Sequence, residues 1–220
     1  MFIGQINLSE ARAVLGAEVV PTDGVLSFFF DASGDALGTT DPRAVAVYRF
    51  PADDLQRHPP NEDLNNGELQ SCAVQLIAYP SLPPVAFHGS LFELILPGKI
   101  DSDTRDALGD FPYQLGKALL PTPSGDDRHQ FLGYPLCCQQ TDHFVLADRG
   151  RAKTGLNALK ANKRAVAIRS AATWSLIAQF DEDKHLPLRW VDTGVLSVLA
   201  KSNQSPVDPP HHPTWILDFM

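Results

Sequence analysis

The sequence is poor in the features from which function is usually read. It has only three cysteines, Cys72, Cys137 and Cys138. The number is odd and two are adjacent, which excludes a disulfide framework and fits reduced thiols. No apolar run approaches the roughly 18 residues that a membrane span needs; near the start, Val25–Phe30 falls far short. Residues 1–20 lack a basic segment followed by an apolar one, so no signal peptide is expected and the expected location is cytoplasmic. There is no Gly-x-Ser-x-Gly elbow, no phosphate-binding Gly-Lys-Ser/Thr loop and no dinucleotide fingerprint. No catalytic residue and no cofactor is assigned on these grounds.

What is present is an ordinary globular composition: 220 residues, 44% hydrophobic and 20% charged. That length suits one domain with a sizeable core. The net charge of −8 is unevenly placed. Residues 1–148 hold 8 Lys/Arg and 20 Asp/Glu, whereas residues 149–220 hold 10 and 6. The acidic part favours a cationic partner or simple solubility and speaks against non-specific nucleic-acid binding. The stretch 149–169 carries Arg149, Arg151, Lys153, Lys160, Lys163, Arg164 and Arg169 and no acid. It could hold a phosphate or contact a nucleic acid, but no aromatics are interleaved to stack bases. A solvated basic surface, or an intramolecular partner for the acidic part, is the preferred reading.

Period-two alternation and turn residues predict strands over Phe2–Leu8, Val25–Phe30, Ala44–Phe50, Ser71–Tyr79, Leu91–Leu96, His143–Ala147, Thr173–Phe180, Val195–Ala200 and Trp215–Phe219. Short helices are expected at Glu10–Leu15, capped by Ser9 and stopped at Gly16, at Asp101–Ala107 behind an Asp101 or Ser102 cap, at Tyr113–Leu119 and at Leu156–Lys163. Strands outnumber helices without regular alternation. The fold class is therefore α+β, with mixed or antiparallel sheets and a few short helices. The 18 prolines announce long, irregular connections.

The two ends of the chain repeat one another. Phe2-Ile3-Gly4-Gln5-Ile6-Asn7 is followed by Asp23-Gly24-Val25-Leu26-Ser27; Leu176-Ile177-Ala178-Gln179-Phe180-Asp181 is followed by Asp192-Thr193-Gly194-Val195-Leu196-Ser197. Each copy has a strand with a central Gln, an Asx two places later, a turn with Asp and Gly, and a strand opening Val-Leu-Ser. This predicts a duplicated β-rich unit. The expected organisation is a single domain, 1–220, made of two pseudo-repeats at about 1–80 and about 129–220 with a helical connection.

Those two segments, together with Tyr48-Arg49-Phe50-Pro51, His129-Gln130-Phe131-Leu132-Gly133-Tyr134-Pro135 with Gln139, and Trp174 through Asp181 followed by Trp190, Asp192, Gly194 and Leu196, resemble the YwqG-like family. The resemblance runs over most of the chain in order. It implies a bacterial protein with a duplicated mixed α/β fold and no defined function. It carries over no catalytic residue. Family members usually have a Gly- and Pro-rich segment ahead of the first Gln-containing strand, whereas here Met1 abuts that strand.

Several clusters invite chemistry and fall short of it. His129, Cys137, Cys138 and His143 match zinc-ligand spacing only loosely, since adjacent cysteines on a strand point to opposite faces. The same residues offer a thiol–imidazole pair with no orienting third group. His211-His212 lies in a Pro-rich loop, and Asp31, Asp35 and Asp41 lack the calcium-loop pattern. Asp181, Glu182 and Asp183 read as solvated carboxylates. No metal site is assigned. Two readings remain. One is a non-enzymatic protein-binding module, of immunity or regulatory type, that receives a basic protein. The other is a small-molecule binder or enzyme with a cleft between the repeats lined by Gln5, Gln179, Trp174, Trp190 and Tyr134.

Overall fold

The computed structural model describes residues 1–31, 42–56, 73–78, 81, 101, 103–104, 107, 129–135, 143–149, 161–182, 190, 194–201 and 213–218. The chain starts with strand β1 (Phe2–Asn7) and helix α1 (Leu8–Leu15). Strands β2 (Val25–Phe30) and β3 (Val45–Phe50) follow. Later come a short β4 (Gln130–Phe131), helices α2 (His143–Arg149) and α3 (Ala161–Ala171), and strands β5 (Trp174–Asp181), β6 (Val195–Lys201) and β7 (Thr214–Asp218). The fold is α+β with two antiparallel sheets, ordered β1-β2-β3 and β4-β5-β6-β7.

The local causes are legible. Asn7, not Ser9, caps α1: its side-chain oxygen accepts from the Ser9 and Glu10 amides at 3.0 and 3.4 Å. Its amide donates back to the Glu10 carboxylate at 3.1 Å, so cap and first turn bind reciprocally. The helix ends at Gly16, whose φ of 94° is open only to glycine at low cost. Leu8 and Ala11, three residues apart on one helix face, are buried.

The duplication is visible in the ladders. Gln5 pairs with Ser27 and, in turn, Ser27 with Tyr48; Gln179 pairs with Ser197 and Ser197 with Ile216. Asn7, Val25 and Phe50 form the row that corresponds to Asp181, Val195 and Asp218. Even the irregularity repeats: the register shifts between Phe2 and Gly4 in one unit and between Leu176 and Ala178 in the other. A bulge at the same place relative to the Gln is a shared structural feature, not a coincidence of propensity. Gly24 and Gly194 open the second strand of each unit, and a Cβ at either would meet a backbone carbonyl, that of Phe50 or that of Trp190.

The two sheets pack face to face. Leu26, Phe28 and Phe30 of the first sheet share one core with Ile177, Leu196, Val198 and Trp215 of the second. Phe30 makes edge-on contacts with both Trp190 and Trp215, at 5.5 Å each, and Phe28 meets Phe180 at 5.2 Å. Each fully buried Leu or Phe here contributes about 1.5–3 kcal/mol of transfer free energy. The second sheet buries its other face too. Leu176, Leu199 and Ile216 pack under Phe144, Val145 and Leu146 of α2 and Ala171 of α3. The order of layers is therefore sheet, sheet, helices.

Three expectations are corrected. His143–Ala147 is helical, not a strand. The run is apolar enough for either, and burial against a sheet face already built of strands decides for a helix. Residues 73–78 of the expected Ser71–Tyr79 strand are unpaired coil, mostly exposed. The helix expected over Leu156–Lys163 does not stop at Lys163: its described part is Ala161–Ala171, and residues 156–160 lie outside the described residues. The Asp101 cap is present: its carboxylate accepts from the Thr104 amide at 2.7 Å and the Thr104 hydroxyl at 3.0 Å, and Asp103, Thr104 and Ala107 are helical. The expected elements at Leu91–Leu96 and Tyr113–Leu119 lie outside the described residues.

Candidate functional site

A polar seam runs across the helix-facing side of the second sheet. Gln130 faces Gln179 across β4 and β5, and Gln179 faces Ser197 across β5 and β6. All three are buried. Helix α2 lays His143 over them. Its Nδ1 lies 3.1 Å from the Ser197 hydroxyl and its Nε2 lies 3.1 Å from Asp218 Oδ2. The Gln179 amide donates to the Ser197 oxygen at 3.0 Å. A single directed chain satisfies these contacts: Gln179 donates to Ser197, Ser197 to Nδ1, and Nε2–H to the Asp218 carboxylate. That assignment of the imidazole tautomer follows from the partners.

Ser, His and Asp side chains in contact suggest a nucleophile relay, but this geometry argues otherwise. Ser197 and His143 are both 0% exposed. A serine that receives an amide N–H and has no path to solvent cannot reach a substrate carbonyl. The chemistry that the arrangement does perform is attachment. It pins α2 to three strands through groups that are costly to leave unpaired.

The Leu132-Gly133-Tyr134-Pro135 motif supports the same region. Leu132 and Gly133 both take positive φ, 63° and 83°. Gln130 Nε2 closes the turn by donating to the Leu132 and Tyr134 carbonyls at 2.7 and 2.9 Å. The Ser81 hydroxyl accepts from the Tyr134 amide at 2.9 Å. The turn delivers the Tyr134 ring to Phe144 of α2, 6.2 Å away. A non-glycine residue held at positive φ needs surroundings that over-determine it, and here they do.

The five residues singled out from the sequence do not occupy one place. Gln179 lies in the seam, and Tyr134 beside it over α2. Trp174 is half-buried near α2, its indole N–H 3.4 Å from Asp148 and its ring under the Lys201 ammonium. Trp190 sits on the other side of the second sheet, in the core between the sheets. Its indole N–H is buried and has no hydrogen-bond partner among the described residues. Gln5 is exposed on the outer face of the first sheet. Sequence reading missed His143 and Asp218 as partners, since His143 was placed on a strand and 75 residues separate them. The signal that was there is Thr141-Asp142 ahead of the run, a helix-start pair.

Other sequence clusters resolve locally. The His129 Nδ1 accepts from the Asp181 amide at 3.3 Å, and the Glu182 carboxylate accepts from the Trp190 amide at 2.8 Å. Asp181 and Glu182 are half-buried rather than solvated. Cys137 and Cys138 lie outside the described residues. Among the described residues no group of His, Cys, Asp or Glu is gathered to hold a metal ion.

The second noteworthy surface is the outer face of the first sheet, the counterpart of the seam. Phe2, Phe29, Tyr48 and Phe50 form a connected row, with ring centroids 5.4, 5.7 and 6.5 Å apart along it. Phe2, Tyr48 and Phe50 are 46%, 54% and 43% exposed. Gln5 and Ser27 lie among them, in the positions that Gln179 and Ser197 hold in the second unit. The second unit covers these positions with α2; the first leaves its aromatics open.

The family described as a domain of unknown function (DUF1963) matches residues 1–204. The chain belongs to that family. Within this DUF1963 member, the matched span takes in the strands bearing Gln5, Ser27, Tyr48, Gln179 and Ser197 and the helix bearing His143, and ends before β7, which bears Asp218. A comparison with curated proteins finds no match. No described helix is long and apolar enough to cross a membrane.

Proposed function

We propose that this protein is a non-enzymatic, cytoplasmic protein-binding module of immunity or regulatory type, and that the aromatic outer face of the first sheet is its contact surface. The observation that carries the reading is the open row Phe2, Phe29, Tyr48 and Phe50. Contiguous exposed apolar surface rimmed by polar residues marks interaction sites in soluble proteins. Aromatic residues are enriched at the centres of such interfaces. The resemblance to the YwqG-like family and a bacterial source belong to the same reading, as does a single domain of two units at about 1–80 and about 129–220. The charge balance favours a basic partner over a nucleic acid.

Affinity capture with wild-type protein, Tyr48→Glu and Phe50→Ser tests it. A protein retained by the wild type and lost from both variants, with unchanged circular dichroism, is the expected result. Identical capture by all three would remove the face from consideration.

A second reading has one observation in its favour. The indole N–H of Trp190, unpartnered among the described residues, lies in the core between the repeats, where a small polar ligand would satisfy it. Against it stand the aromatic contacts of Phe30 with Trp190 and Trp215, which fill that interface. Trp190→Phe distinguishes the two. Without a ligand, the variant loses only the packing of the larger ring, and no added small molecule changes its stability. A ligand-dependent protein would lose a ligand-induced rise in melting temperature.

A further inference from the structure

The protein contains its own example of how such a face is covered. In the second unit, α2 lies over Leu176, Leu199 and Ile216 with Phe144, Val145 and Leu146. It places an imidazole over the Gln179–Ser197 pair and against a carboxylate, Asp218, in the row that begins with Asp181. The first unit repeats the strands, the bulge and the Gln–Ser pair; no described helix lies on that face, Ser27 is buried in it, and Phe2, Tyr48 and Phe50 remain about half exposed. At the end of that face corresponding to Asp218, the row Asn7, Val25 and Phe50 is flanked by exposed carboxylates: Asp23 just before the strand and Asp53 and Asp54 just after Phe50. Residues 1–56 hold 8 Asp/Glu and 3 Lys/Arg.

We propose, building on the binding-module reading, that the occupant of this face is an amphipathic helix of a partner protein. Its apolar stripe covers Phe2, Tyr48 and Phe50, and Lys, Arg or His at one end meets Asp23, Asp53 and Asp54. Charge complementarity with these three exposed carboxylates selects the cationic end, at the place where in the second unit the α2 imidazole donates to Asp218. Area argues against a second copy of the chain. Three half-exposed aromatic side chains offer roughly 300 Å² of apolar surface. A stable protein–protein interface buries about 800 Å² on each side. A helix on a sheet face makes up the difference with its flanks, along the acidic rim; two identical acidic faces would repel each other.

The test uses the full chain and two synthetic 18-residue helical peptides with the same leucine stripe, one with lysine and one with glutamate on the polar face. Fluorescence anisotropy is expected to show micromolar binding of the Leu/Lys peptide and none of the Leu/Glu peptide. Asp53→Asn with Asp54→Asn should weaken the Leu/Lys complex several-fold and flatten its salt dependence. Tyr48→Glu should weaken it at least tenfold. Because this variant adds a negative charge, mere attraction between a cationic peptide and an acidic protein would strengthen binding instead. Phe50→Ser, which adds no charge, guards against local disruption by the glutamate. Equal binding of both peptides, or Leu/Lys binding indifferent to Tyr48→Glu and Phe50→Ser, overturns the proposal. So does wild-type dimerisation in sedimentation velocity that Tyr48→Glu abolishes, since a second copy is then the occupant. If a captured partner is lost on Tyr48→Glu while neither peptide binds, the binding-module reading stands and the helix fails. If neither capture nor peptide binding responds, both fail.

Discussion

The two units of this protein share a strand pattern and differ in what lies on top of it. In the second, Gln179 and Ser197 are roofed by His143 and α2; in the first, no described helix lies on the pair, and Gln5 is exposed while Ser27 is buried opposite Tyr48. Phe50 stands where Asp218 stands. The same ladder thus serves once as a layer of the core and once as a surface. The lesson is that a duplicated β-unit keeps its inward face fixed, because that face must mate with its twin. Its outward face is free to diverge.

This contrast can be broken by mutation. Asp218→Ala removes the carboxylate that accepts from the buried His143 Nε2–H, which costs about 1–3 kcal/mol. For a chain of this size that lowers the melting temperature by roughly 2–10 °C. The counterpart change, Phe50→Ala, should stay within about 1 kcal/mol, as expected of a half-exposed residue. Differential scanning calorimetry of the two variants checks the asymmetry, and equal losses would refute it. Gly24→Ala and Gly194→Ala should behave as a matched pair instead. Each brings a Cβ onto a backbone carbonyl, and each should lose about 1–3 kcal/mol. A large loss at only one of them would mean that the two turns are not equivalent.

Smaller effects sharpen the same comparison. Ser197→Ala removes the acceptor of the Gln179 amide and the hydroxyl beside His143 Nδ1 and should cost about 1–3 kcal/mol, whereas Ser27→Ala, at a residue buried but with no described helix on it, should cost less than about 1 kcal/mol. Urea titrations of both variants read the difference. The smallest effect belongs to neither unit. The Thr104 amide, and after it the Thr104 hydroxyl, hold the Asp101 carboxyl below its ordinary range. The folded value is the lowered one, so the cap contributes fully above the ordinary carboxylate range and is lost as pH falls through the folded value. Asp101→Asn should quicken amide exchange at Thr104 at neutral pH and make little difference in strong acid.

How far the sequence carried this architecture depends on the residue. Six of the strand expectations met strands because each alternates or runs apolar between Pro, Gly and Asp. The repeat was readable because Gln, Asx, Gly and Val-Leu-Ser recur at matching offsets. The helix α2 was not, since His143-Phe144-Val145-Leu146-Ala147 has no period of its own and only a sheet already formed beneath it selects the helical form. The seam failed to show for the same reason: Gln179, Ser197, His143 and Asp218 converge through packing, and no spacing in the chain encodes it. Tyr48 and Phe50 drew attention as part of a strand and of the family resemblance, not as a surface. Their exposure depends on what does not cover them, which a linear pattern does not record.

The ladder order carries a consequence for how the chain assembles in time. In each sheet, β1-β2-β3 and β5-β6-β7 pair as chain neighbours, so each meander can close over connections of 12 to 17 residues before the other exists. The core between them, from Phe28 to Phe180 and from Phe30 to Trp215, joins segments at opposite ends of the sequence and has to wait for both. Refolding should therefore proceed by formation of two preorganised halves and a later docking step, and stopped-flow traces should separate early β-structure from late burial of Trp190 and Trp215.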